Sequence, residues 1–162
     1  TRILFEYGEE RYAKRIANAI IEIRQQQPIS KTSELVKIIC AAIPKKETHK
    51  HPATRSFQAI RIALNNELNE LIKVLPQTIR LLKPQGRLVV ISFHSLEDRI
   101  VKQFIHAESG AKYDPGKLPI KQADIAQGCL KKIGKAIRAT EAEIQMNPRA
   151  RSAILRIAEK SK

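Results

Sequence analysis

The stretch Leu88-Val89-Val90-Ile91-Ser92-Phe93 decides the fold, because its apolar, β-rich run is typical of a strand buried on both faces of a parallel sheet. The Lys-Pro-Gln-Gly sequence of residues 83–86 precedes it and stops the helical pattern before it. The Ser-Leu-Glu-Asp sequence of residues 95–98 follows it and resembles a capping box, which predicts a helix running to about residue 106. Helix, turn, buried strand and helix in succession predict an α/β sheet with right-handed crossovers.

Hydrophobic periodicity predicts further elements on both sides of this strand. Upstream we expect a helix over residues 9–26, a second over 33–43 with Thr32 as its N-cap, and a long helical stretch from Ala53 that Pro76 kinks or restarts. Downstream we expect a loop over residues 109–128, a short strand over 129–133, a short helix over 140–146 and a last strand over 152–159. Each predicted helix carries one apolar face, so the chain has enough periodic structure to build a core.

The charge balance points to a polyanionic partner. The chain has 162 residues and a net charge of +14, with the basic excess densest in residues 111–162. Neutralising phosphates releases condensed counterions and favours binding, although a merely solubilising surface would have the same composition. No helix joins a basic face to a bulky aromatic one and no apolar run reaches the length of a membrane span, so a membrane role is disfavoured.

The cysteines point to a reducing compartment. Cys40 and Cys129 are far apart and form no Cys-x-x-Cys pair, which favours a cytoplasmic protein with buried thiols. His49 and His51 have no cysteine nearby and form no zinc-ligand pattern, so we predict no metal site.

Three segments are not explained by packing alone. They are His51-Pro52-Ala53-Thr54-Arg55-Ser56-Phe57-Gln58-Ala59, then residues 91–99 around Phe93-His94-Ser95, and Asn147-Pro148-Arg149-Ala150-Arg151-Ser152-Ala153. In this order, together with Tyr7-Gly8-Glu9-Glu10 and the Pro-Ile-x-Lys-Thr step at residues 28–32, they resemble the ribosomal RNA cytosine-N4 methyltransferases known as RsmH or MraW. The resemblance covers almost the whole chain and is weakest over residues 107–146.

The resemblance implies a Rossmann-like core, dependent on S-adenosylmethionine, that is interrupted by a helical insertion. Residues 1–50 resemble the end of this inserted, substrate-recognition domain, and residues 51–162 resemble the C-terminal half of the methyltransferase core. The glycine-rich donor loop of the family has no counterpart here, because the six glycines form no Gly-x-Gly-x-x-Gly array. We therefore expect a fragment without cofactor-binding residues, inactive alone, which also fits a chain that begins at Thr1 rather than Met.

The activity that the resemblance implies is N4-methylation of a cytidine in 16S ribosomal RNA of the small subunit. His94 follows the strand of residues 88–93 and is the candidate catalytic residue, since histidine carries protons near neutral pH. His51, Arg55, Arg149 and Arg151 are candidate RNA-binding residues, because they flank proline-fixed turns. If the last two strands are antiparallel, all three segments converge on one rim of the sheet.

Each candidate also has a structural alternative. His94 could hydrogen-bond a loop backbone, Ser95 and Asp98 fit a helix cap better than chemistry, and lone arginines are usually solvated. At the level of function, the alternative is a non-catalytic basic RNA-binding module. A DNA-binding helical domain is disfavoured by the strand of residues 88–93 and by the lack of a recognition-helix pattern. A central strand that lacks one neighbour also leads us to expect self-association.

Overall fold

In the computed structural model, which describes residues 1–44, 51–110 and 127–161, the chain divides into two compact units. The first unit comprises Thr1–Glu67 and the second Leu68–Lys162. The predicted inserted domain of residues 1–50 and core half of residues 51–162 stay predictions.

The first unit contains four helices. They are α1 (Arg2–Gly8), α2 (Ala13–Gln26), α3 (Thr32–Ala42) and α4 (Thr54–Asn65). Their buried faces form one cluster that includes Leu4, Ile16, Ile39 and Ala59. The pattern at residues 9–26 and 33–43 therefore predicted α2 and α3, but it missed α1 and began α2 too early.

Gly8 explains part of the Tyr7-Gly8-Glu9-Glu10 motif structurally. A Cβ atom at Gly8 would lie 2.9 Å from the carbonyl oxygen of Arg55, so α1 and α4 approach too closely for a side chain there. Glu10 is buried, and its Oε1 accepts a hydrogen bond from the backbone N–H of Tyr12 (3.0 Å) at the start of α2.

The long helical stretch is broken at a residue that the sequence analysis did not identify. Asn66 adopts a left-handed conformation (φ 53°) and caps α4, and α5 then runs over Glu67–Leu81. Pro76 lies inside α5, so the helix does not restart there, and the kink expected as the alternative stays a prediction. The stop at residues 83–86 is confirmed, because α5 ends at Leu81 and the N–H of Gly86 closes a turn on the carbonyl of Lys83 (2.9 Å).

The second unit, which holds all of α5 except its first residue, is built around a three-stranded antiparallel sheet. Its remaining elements are β1 (Arg87–Ser92), α6 (Ser95–Glu108), β2 (Leu130–Arg138), α7 (Glu141–Met146), a short 3₁₀ helix (Pro148–Ser152) and β3 (Ile154–Lys160). The strand order is β1-β3-β2, and β3 pairs with both neighbours. The architecture is mixed helix and sheet, consistent with an α/β methyltransferase, and the C-terminal-half assignment stays a prediction.

Two expectations about β1 were wrong for the described residues. Its pairing is antiparallel rather than parallel, and only one of its faces is buried. Leu88 is covered by a core with Leu75 of α5 and Val101 of α6, whereas Val89 and Ile91 are each 53% exposed. An apolar run indicates a strand with two apolar faces, but it does not indicate which elements cover them.

The downstream elements were predicted with shifted bounds. The last strand and the short helix after Thr140 are confirmed as β3 and α7, and Thr140 caps α7 by accepting from the N–H of Glu143 (3.3 Å). β2 is longer than the expected strand over residues 129–133 because a bulge extends it, with Gly134 at φ +64° between the paired residues Ile133 and Ile137. Most of the predicted loop over residues 109–128 lies outside the described residues, as does His49.

None of the helices in the described ranges is both long and apolar enough to cross a membrane.

Candidate nucleic-acid interface

The register of the sheet brings two of the three unexplained segments to the same end. Ser92, the last residue of β1, pairs with Ile154, the first residue of β3, and Ile154 also pairs with Arg138 at the end of β2. The 3₁₀ helix that holds Arg149 and Arg151 directly precedes β3. His94 and these two arginines therefore lie at one end of the sheet.

His94 caps helix α6. Its side chain is 10% exposed, and its Nδ1 accepts a hydrogen bond from the backbone N–H of Glu97 (3.3 Å). The Glu97 carboxylate reaches back and accepts from the N–H groups of Phe93 (2.8 Å) and His94 (3.2 Å). The capping box therefore joins His94 to Glu97, and the cap that we predicted at Ser95 and Asp98 was placed one residue late.

The cap fixes the tautomer of the imidazole. Because Nδ1 accepts, the proton of a neutral ring is on Nε2. Nε2 is buried and lies 3.2 Å from Oε1 of Glu97, which is within ion-pair distance but does not meet hydrogen-bond geometry. These contacts give His94 a structural role, and its catalytic role stays a prediction.

Glu97 is held as a carboxylate at the amino end of α6. Burial alone would raise its pKa, but the nearby His94 ring and the hydrogen bonds from the backbone N–H groups of Phe93 and His94 outweigh burial and lower the pKa. The helix that directly follows β1 thus already has an anion at its N-terminus. The carboxylate of a ligand such as S-adenosylmethionine is therefore disfavoured at this helix end, because two like charges would meet there.

Arg149 and Arg151 are exposed on a rigid turn. Oδ1 of Asn147 accepts from the backbone N–H of Arg149 (3.2 Å), Pro148 begins the 3₁₀ helix, and Ala150 is buried between the two arginines. Within the described residues, neither guanidinium has a hydrogen bond or an ion pair recorded. A fixed backbone with exposed guanidinium groups suits contact with phosphates, because little backbone order remains to be created on binding.

His51 and Arg55 lie in the first unit, where both have structural contacts. Nδ1 of His51 accepts from the N–H of Ala53 (3.2 Å) just before α4. Nη1 of Arg55 donates to the carbonyl of Glu9 (3.0 Å), at the residue that caps α1 in a left-handed conformation. Their convergence with the end of the sheet stays a prediction.

The sequence analysis missed an ion pair that links α6 to the sheet. Asp98 accepts two hydrogen bonds from Arg156 of β3, at 2.6 Å to Nε and 2.9 Å to Nη2, and both side chains are largely buried. The hydrogen bonds from Arg156 outweigh burial and lower the pKa of Asp98, and Arg138 and Lys102 add to this effect through their charge. The spacing offered no signal, because the two residues are 58 positions apart.

We expect the cap to account for the effect of His94 on stability. His94→Ala removes the acceptor for the Glu97 N–H and should lower the free energy of unfolding by about 1–2 kcal/mol. His94→Asn keeps a capping acceptor, so its free energy of unfolding should fall by only about a few tenths of a kcal/mol. Urea unfolding of both variants measures the difference. An asparagine variant as unstable as the alanine variant would show that the ring itself, rather than the cap, stabilises this end of the sheet.

Comparison with known proteins gives the family. The family model described as the MraW methylase family matches residues 1–161. Two similar relatives are proteins named ribosomal RNA small subunit methyltransferase H, from Thioalkalivibrio sulfidiphilus (55% identical) and Coxiella burnetii (57% identical). Each alignment covers 98% of this chain but only 50% and 51% of the respective relative, so the chain spans about half the length of these proteins. Since the family match extends over nearly every residue, the chain belongs to the MraW methylase family.

Proposed function

We propose that this chain serves a methyltransferase that transfers a methyl group from S-adenosylmethionine to N4 of a cytidine in small-subunit (16S) ribosomal RNA, in the cytoplasm. The observation that carries the proposal is the family match over residues 1–161, joined to relatives whose names state small-subunit ribosomal RNA as the substrate. The net charge of +14 agrees with an RNA substrate.

Within this activity the chain contributes RNA contacts rather than donor binding. Arg149 and Arg151 supply exposed cations on a rigid turn, and the His94–Glu97 cap fixes the adjacent end of β1. An exocyclic amine is a poor nucleophile because its lone pair is delocalised into the ring, so exact placement of the base contributes much of the rate. The target base must also be unstacked or presented in a single strand, which requires firm contacts to the flanking backbone.

A non-catalytic basic RNA-binding module is the alternative from another class. It shares the charge and the exposed arginines but predicts no change in RNA methylation. A glycine-rich loop after an apolar strand, found upstream in the same gene, would favour the enzyme.

The methylation proposal is tested in the source organism. Deleting the gene region that encodes these residues should abolish one N4-methylcytidine in 16S ribosomal RNA, as read by mass spectrometry of nuclease digests. Reintroducing the region should restore the modified nucleoside. Unchanged methylation after deletion would leave the RNA-binding module as the better assignment.

The RNA contacts are tested by the salt dependence of binding. Arg149→Ala and Arg151→Ala should each weaken the binding of a 16S ribosomal RNA fragment and reduce the slope of log K against log salt by roughly one unit. Arg80→Ala, which removes an exposed arginine from α5, is the matched control. Equal slopes for all three variants would return Arg149 and Arg151 to an ordinary solvated surface.

We also propose that the chain on its own self-associates. Across the sheet, one face presents Val89, Ile157 and Ile133 in one row and Ile91, Leu155 and Ile137 in the next. Of these, Val89, Ile91 and Ile137 are more than half exposed, and no partner strand pairs with the outer edge of β1 within the described ranges. Exposed apolar faces and open strand edges recruit other chains.

Light scattering at micromolar concentration should therefore give a mass above that of a monomer. Ile91→Lys places a charge on the exposed face and should shift the chain toward monomer, whereas Leu81→Lys, on an α5 residue that is 84% exposed, should not. A monomeric parent chain with cooperative unfolding would contradict the proposal.

A further inference from the structure

A small cavity lies between α6 and the bulge of β2. Its volume is about 80 Å³, and Ile105 and Gly134 form part of its wall. This is well below the roughly 300 Å³ at which ligand pockets for drug-sized molecules begin, so it excludes a nucleoside but accommodates a small ion with its water.

The polar part of the lining is cationic. It consists of Lys102 and His106 from α6, Lys132 and Lys135 from β2, and Arg156 from β3, and none of the described residues that line the cavity is acidic. Lys102 and His106 are four residues apart, so they lie on the same side of α6. The carboxyl end of α6 adds only about half a negative charge and Asp98, paired with Arg156, adds one more, which the four permanent cations together outweigh.

Arg156 is oriented for an anion. Asp98 takes Nε and one hydrogen of Nη2, which leaves three of the five guanidinium N–H donors for another acceptor. The carboxylate therefore holds the guanidinium plane in place while occupying only two of its five donors. A guanidinium fixed in this way loses little side-chain entropy when it binds an oxyanion.

The bulge of β2 opens the site. Gly134 has φ +64°, a conformation that favours glycine, and a Cβ atom there would meet nothing within 4 Å. In a regular strand, Lys132 and Lys135 would lie on opposite faces of the sheet. The extra residues of the bulge change this alternation, and both lysines line the cavity.

We propose that this cavity is a phosphate site that holds one backbone phosphate of the RNA substrate. The inference rests on the proposed function for its choice of RNA as the phosphate source. It adds a contact point separate from Arg149 and Arg151, so that the RNA backbone is held at two places on the second unit.

The test measures binding of a single-stranded RNA oligonucleotide to the whole 162-residue chain at several salt concentrations. The double variant Lys102→Gln/Lys132→Gln should weaken binding roughly ten-fold and reduce the salt slope by close to one phosphate, about 0.7 units for a single strand. The control Lys73→Gln/Lys83→Gln removes the same charge from exposed lysines outside the cavity. Its salt slope should be closer to that of the parent chain than the slope of the cavity variant is.

A second readout identifies the phosphate source. The amide resonance of Gly134 should move when RNA is added and stay in place when inorganic phosphate is added at the same concentration. Equal slopes in the cavity and control variants overturn the proposal while leaving RNA binding intact, and a chain that binds no RNA contradicts the proposed function instead. Saturable binding of inorganic phosphate alone at micromolar concentration overturns the assignment to RNA.

Discussion

The pairing of β3 with both other strands is the constraint on which the second unit depends. β3 is the last described element of the chain, yet it is the middle strand of the sheet. Without it, β1 and β2 would have no neighbour to satisfy their backbone groups. Its register also places the end of β1 and the turn of residues 148–152 together, so the position of every candidate side chain in this unit follows from one set of hydrogen bonds.

The two faces of the sheet have different partners. α5 and α6 cover one face, where Leu75, Leu88, Val101 and Ala158 form the core. The Asp98–Arg156 pair anchors α6 to β3 on this side, so the helix that lines the cationic cavity cannot slide along the strand without breaking a double hydrogen bond. The opposite face is apolar and partly exposed, which is the arrangement expected of a sheet that packs against further protein.

The three unexplained segments share a local device. Each contains a polar side chain that accepts a hydrogen bond from a backbone N–H two or three residues later: His51 from Ala53, His94 from Glu97, and Asn147 from Arg149. Such contacts fix the turn before any ligand binds. These three polar side chains are therefore structural, whereas the charged side chains of Arg149 and Arg151 that follow Asn147 are exposed.

The sequence by itself determined the elements whose signals are local. Helical periodicity predicted α2, α3 and α6, the Lys-Pro-Gln-Gly turn predicted the end of α5, and alternation predicted β3, because these patterns depend on neighbours a few residues apart. Arg149 and Arg151 could also be proposed from sequence, since proline and asparagine mark their turn. Only the tertiary structure decided that β1 is an antiparallel edge strand among the described residues, that His94 rather than Ser95 is the cap, and that Arg156 meets Asp98. These features depend on which distant segments of the chain meet: the strand order, the burial of one face, and an ion pair between residues 58 positions apart. A pattern within a short window of sequence does not contain that information.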